Sequence, residues 1–178
     1  KKRKIMKINK AKKLTISYKV KVKHFEDFLR LCSYDRADVD GFINLLSRCT
    51  EVDKEIFYNL RFADLIRFVD ELVDSVDKEM YKHPKNAIKI DDKYYKLIDL
   101  LNLQVAFYVD FDLVEKTPSY LLALCYTETG SYTDERNSSV DEREKIMQNA
   151  DVIDYMRLAN FFLTWRDFLK RLKEIQKN

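Results

Sequence analysis

Two glycines, two prolines, two histidines and three cysteines are all that 178 residues contain of those types. All-β folds need special backbone angles at many turns, so this scarcity of glycine and proline leaves room for few hairpins, and helix should dominate. Gly41 and Gly130 stand far apart and cannot build a glycine-rich phosphate cradle. His24 and His83 lie at no spacing from a serine, cysteine or carboxylate that a triad-like motif requires. HExxH, CxxC and EF-hand patterns are missing, so no catalytic residue, metal or cofactor is read from the chain. Cys32, Cys49 and Cys125 are odd in number and sit in apolar helical contexts, which reads as reduced core thiols in a cytosolic setting. No run of 18 apolar residues exists, and no apolar stretch near the start precedes a small-residue cleavage site. Neither a membrane span nor a secretory signal is therefore expected.

What is present is a mixed, folding composition. Hydrophobic residues make up 46% and charged residues 35%, too apolar for a disordered chain and too evenly mixed for a membrane protein. The net charge of +3 hides an asymmetry. Residues 1–23 hold 11 of the 33 basic residues and none of the 30 acidic ones, which leaves the remainder at net −8. Lys1, Lys2, Arg3, Lys4, Lys7, Lys10, Lys12 and Lys13 fall in a segment too polar to offset its own ordering entropy. The expectation is a flexible basic arm over 1–13 and one mainly helical domain over 14–178. The arm can meet DNA phosphates or an acidic protein surface, although lysine runs without interleaved aromatics offer no stacking platform.

Leu14 to Val22 alternates, with Leu14, Ile16, Tyr18, Val20 and Val22 on one face and Thr15, Ser17, Lys19 and Lys21 on the other. That is a half-buried strand. Ile88 and Ile90, then Tyr94 or Tyr95 with Leu97, flank Asp91-Asp92-Lys93 as a hairpin. A lone strand needs a partner, so the two are paired into a small antiparallel sheet. Helical spacing marks His24 to Cys32, Asp38 to Cys49 and Ala63 to Met80, the last ended by His83-Pro84. Thr50, followed by Glu51 and Asp53, reads as the N-cap of a short helix through Tyr58. Thr117-Pro118 starts a helix, Thr127 to Ser138 reads as the longest polar loop, and Ser139 with Glu142 forms a capping box. Asp151 caps a last helix carrying Val152, Met156, Ala159, Phe162, Leu163, Trp165 and Leu169. Leu103 to Leu113 alternates as a strand would, yet Leu100, Leu103, Phe107 and Val114 also suit a helix.

Paired carboxylates suffice for glycoside hydrolysis or a two-metal site, and Asp91 with Asp92 and Asp110 with Asp112 are the best-placed pairs. A turn and a helix surface account for both, so the chain is read as non-enzymatic. Tyr94, Tyr108, Tyr126, Tyr132 and Tyr155 are candidates for half-exposed interface positions, where an apolar ring with a polar tip suits protein contact.

The order of features from Asp38 to Leu169 resembles small virion-associated and tail-assembly accessory proteins of tailed bacteriophages, most nearly those of the crAss-like group. The residues that carry it are VDGFINLLSRCTEVDKEIFYNLRFADLIRFVDEL, the hairpin IKIDDKYYKL, the segment NLQVAFYVDFD, the helix YLLALCY and the final ANFFLTW. The resemblance implies a helix after the hairpin, which sets aside the alternation from Leu103 to Leu113. Asp92 stands where glycine is expected in the turn. It further implies a structural, cargo or assembly protein that binds portal, tail or ring proteins in a larger assembly, in the virion and, during assembly, in the host cytoplasm. The alternative is a nucleic-acid-binding accessory protein using the basic arm. The fold class expected is mainly α, a bundle-like helical domain with a small antiparallel sheet made of the N-terminal strand and the central hairpin.

Overall fold

A computed structural model of the chain describes residues 19–35, 37–98, 117–128 and 139–175, with residues 165–175 described by backbone alone. Helix dominates it. Four helices come first: α1 (Phe25–Ser33), α2 (Val39–Thr50), α3 (Lys54–Tyr58) and α4 (Phe62–Met80). The hairpin strands β1 (Ala87–Ile90) and β2 (Lys93–Leu97) follow, then α5 (Pro118–Cys125), β3 (Tyr126–Glu128), α6 (Val140–Met147) and α7 (Val152–Ile175).

The helix starts rest on local chemistry. The Asp38 carboxylate accepts the Gly41 N–H at 3.0 Å, and the Thr117 hydroxyl accepts the Tyr120 N–H at 3.2 Å. Ser139 and Glu142 exchange bonds in a full capping box. Asp151 accepts the Ile153 N–H at 3.0 Å to open α7. Gly41 has a separate reason to be glycine, because a Cβ there would collide with the Tyr34 hydroxyl and the Asp38 carboxylate, which bond to each other at 2.6 Å.

Thr50 does not cap α3. Its hydroxyl is buried and turns back to donate to the Leu46 carbonyl at 2.7 Å, so it closes α2 instead. Asp53 caps α3 by accepting the Glu55 N–H at 3.1 Å. On α1 Phe28 and Leu31 are buried, while Leu29 and Cys32 are exposed. Cys32 is thus a surface thiol rather than a core one.

Sheet order is β1-β2-β3, all antiparallel, with Ile88 opposite Tyr95 and Leu97 opposite Tyr126. The hairpin's third strand is therefore β3. Of the expected N-terminal strand only residues 19–22 are described, and there Lys21 forms an isolated bridge to Asp151. Thr127 and Glu128 belong to β3 and not to the loop expected from Thr127. Residues 129–138 and the ambiguous Leu103 to Leu113 lie outside the described residues.

Two apolar clusters form the interior. The first joins α1, α2, Phe57 and α4 through Phe28, Leu31, Phe42, Leu46, Leu65 and Val69. The second joins the hairpin, α5, α6 and α7 through Ile88, Tyr95, Leu122, Met147 and Leu158. The stretch from Val20 into the short 3-10 helix Val22–His24 runs between them, Val20 entering the first cluster and Val22 the second. Backbone bonds fix it there: Val22 N–H to Ala150 O at 2.9 Å, Lys23 N–H to Gln148 O at 3.0 Å, and Val152 N–H to Val20 O at 2.8 Å. The turn into α7 thereby ties the two clusters together.

Candidate functional site

Val20 and Val22 point inward while Lys19 and Lys23 are exposed and Lys21 is half-buried, as the chain passes from extended backbone into the short 3-10 helix Val22–His24. Glu51 answers them from the end of α2. Its backbone is left-handed (φ 55), which reverses the chain after the helix. Lys21 Nζ lies 2.7 Å from Glu51 Oε2, Lys23 Nζ lies 2.6 Å from Oε1, and His24 Nε2 lies 3.3 Å from Oε1. Hydrogen bonds from Lys21, then Lys23 and His24, hold the Glu51 carboxyl down to about 2. One carboxylate thus serves as the counter-ion for three basic side chains. Asp151 is bridged to Lys21 through the backbone, its pKa raised chiefly by burial while the Ile153 N–H bond, and less so Lys19 and Lys85, pull against that shift.

A second polar group lies between α4 and α7. Arg157, 9% exposed, donates from Nε to the Glu79 carbonyl at 3.1 Å, and its guanidinium pairs with the Glu79 carboxylate. Lys82 also pairs with Glu79; Lys82 and Arg157 together keep that carboxyl below its ordinary range. One turn earlier on α7, Asp154, 6% exposed, meets Lys85 Nζ at 2.6 Å, and the Tyr126 hydroxyl donates to the Lys85 carbonyl at 2.9 Å. Each charge has a partner of opposite sign, so Glu79 with Arg157 ties α4 to α7 and Lys85 with Asp154 ties the stretch before β1 to α7. Sequence reasoning missed it, although one signal was there: Asp154 and Arg157 are the only charged residues in the mostly apolar VIDYMRLANFFL.

Catalytic geometry is not assembled among the described residues. His83 is exposed, and His24 is committed to Glu51. Asp91 and Asp92 form the hairpin turn, Asp92 paired with Lys89 at 2.8 Å and Asp91 accepting from the Asn149 amide at 3.3 Å. Asp110 and Asp112 lie outside the described residues. Glu144 accepts from the hydroxyls of Thr117 and Ser119 and so ties α6 to the start of α5, where Thr117 is already used as a cap. No group of three or more His, Cys, Asp or Glu side chains that could hold a metal occurs among the described residues. Burial pushes the Cys49 and Cys125 thiols up to about 12, and it also raises that of Cys32. A thiol so shifted is a poor nucleophile at neutral pH.

The expected interface tyrosines fare differently. Tyr94 is 57% exposed on β2, with Lys89 Nζ 5.9 Å from its ring centre. Tyr155 is half-buried, packed edge-on against Phe25 with centroids 4.9 Å apart. Tyr126 is buried and not half exposed, because β3 carries it into the second cluster. Tyr108 and Tyr132 lie outside the described residues, as do the arm residues Lys1 to Lys13. A set of large apolar side chains that spacing did not single out is exposed around α3: Val39, Ile56, Tyr58 and Phe62. The Tyr58 hydroxyl donates to Asp40 at 3.1 Å, which brings α3 against the first turn of α2 beside Val39. No helix among the described residues is long and apolar enough to cross a membrane.

No protein-family model, curated protein or solved structure matches this chain.

Proposed function

We propose that this chain is a non-enzymatic structural, cargo or assembly protein of a tailed-phage virion, acting through protein contacts near the portal or tail. Its partners are then portal, tail or ring proteins within an oligomer or larger assembly, and its location is the virion, with the host cytoplasm during assembly. The observation that carries the protein-contact reading is the exposed apolar surface around α3, where Ile56, Tyr58 and Phe62 fall within seven residues and Val39 lies near them. Charged and polar neighbours, Asp40, Glu55, Asn59 and Arg61, surround these side chains in the sequence and stay exposed. Aromatic and aliphatic anchors inside a polar rim are the usual anatomy of a protein interface. The phage setting is supported by the resemblance in sequence pattern.

The test is cross-linking mass spectrometry on purified virions of the source phage. Stoichiometric detection beside portal or tail proteins, with cross-links from Lys54 in α3, is the expected result. Ile56→Asp combined with Phe62→Asp should abolish that association without changing the melting temperature. A purified chain that stays monomeric and binds no virion protein would overturn the reading. A second reading, nucleic-acid binding through the basic N-terminal residues, is favoured by the lysine row that ends on Glu51.

A further inference from the structure

We propose that Lys21, Lys23 and His24 form a binding site for a phosphodiester group of a nucleic-acid backbone, and that the Glu51 carboxylate occupies this site as an internal stand-in. The proposal rests on the second reading above and gives it a site within the body of the protein.

The geometry is that of an anion site. Two ammonium groups and one imidazole nitrogen converge on the two oxygens of one carboxylate, at 2.7, 2.6 and 3.3 Å, Lys21 on one oxygen and Lys23 with His24 on the other. A phosphodiester presents the same pattern to donors: two non-bridging oxygens sharing one negative charge. A free phosphate monoester carries more charge and a third oxygen, and a neutral ligand would leave the two lysines unbalanced. The donors are held in place, because Val20 and Val22 are anchored in the two apolar clusters and three backbone bonds lock the stretch between them. Lys21, the last extended residue, and Lys23 and His24, in the short 3-10 helix Val22–His24 that follows it, therefore reach Glu51 from a fixed stretch of backbone.

Charge is left over as well. The three lysines Lys19, Lys21 and Lys23 face two carboxylates, Glu51 and the half-buried Asp151. Lys19 and Lys23 are exposed. Glu51 stands at the end of α2, in contact with the donors through its side chain alone, so its carboxylate can swing out without breaking a backbone bond. Its effect is to keep single weak anions out while a polyanion, which gains from several contacts and releases counter-ions, can displace it.

The experiment uses the full chain and a short fluorescein-labelled DNA duplex, with anisotropy titrations across a salt series. Glu51→Gln removes the competing charge but keeps the shape, and should tighten binding roughly fivefold, the worth of the exposed ion pairs it dissolves. Lys21→Gln with Lys23→Gln should weaken binding and flatten the salt slope by about two phosphate contacts. That double variant leaves Glu51 in place, so it decides the matter if Glu51→Gln fails to fold. Unchanged affinity in Glu51→Gln together with an unchanged salt slope in the lysine variant would overturn the site. If deletion of residues 1–13 then abolishes binding, the basic-arm reading stands without it; if no form binds the duplex, both fall. An equal gain for polyglutamate in Glu51→Gln would overturn the assignment to phosphodiesters.

Discussion

Replacing Asp92 with glycine should make the protein more stable. The turn between Ile90 and Lys93 has two residues, and both are left-handed, Asp91 at φ 46 and Asp92 at φ 66. A turn of this hand matches the twist of the two strands, and glycine is the preferred residue at its second position. An ordinary L-residue held left-handed costs about 1–2 kcal/mol, with aspartate at the low end because its side chain bonds locally. Glycine removes that cost but loosens the unfolded chain by about 0.4–1 kcal/mol. The Lys89–Asp92 ion pair, at 2.8 Å, is lost too, but Asp92 is 95% exposed and solvent screens it. The net gain is about 0.5 kcal/mol, or about 1–2 °C in melting temperature for a chain of this size. Thermal unfolding followed by circular dichroism should rank Gly above Asp above Ala at position 92. Asp91→Gly should gain less, because Asp91 also accepts a hydrogen bond from Asn149. An alanine variant as stable as the glycine variant would refute the reasoning, since backbone hand would then not govern this turn.

Two other outcomes follow from the polar groups. Arg157→Ala should cost about 2–3 kcal/mol in urea unfolding, less than a fully buried pair because Glu79 keeps Lys82; Arg157→Met, which keeps the stem, should cost less. Equal losses would mean that the guanidinium adds nothing beyond its packing. Glu51, lowered from 4.5 to about 2, is a carboxyl whose folded pKa lies below its unfolded one. Its contribution is therefore fully present above about pH 4.5 and is lost as pH falls through about 2. The melting-temperature gap between the wild type and Glu51→Gln should close over that window, and a gap that is constant with pH would remove the linkage.

Much of the fold was legible wherever one stretch of chain carries its own instructions. Thr117, Ser139 and Asp151 cap helices because the partner amide is only two or three residues away. The hairpin was readable for the same reason, since two aspartates between alternating strands define its turn. Thr50 was misread because a cap and a buried back-bonding hydroxyl use the same residue type, and burial decides between them. Of the candidate site, Lys19 and Lys21 were visible in the alternation of Leu14 to Val22, but Lys23, in the 3-10 turn beyond it, and the counter-ion were not, because Glu51 lies 27–30 residues away.

The sequence by itself determined helix dominance, the caps at Thr117, Ser139 and Asp151, the hairpin turn, the alternating N-terminal stretch and the separation of basic start from acidic remainder. These depend on backbone preference, periodicity and charge, all local or additive. Only the tertiary structure decided that β3 pairs with β2, that Tyr126 is buried and Cys32 exposed, and that Glu51, Glu79 and Asp154 take the partners they do. Three residues of strand and single buried charges leave no periodic trace in a sequence. Their places are set by which distant surfaces the two apolar clusters bring together.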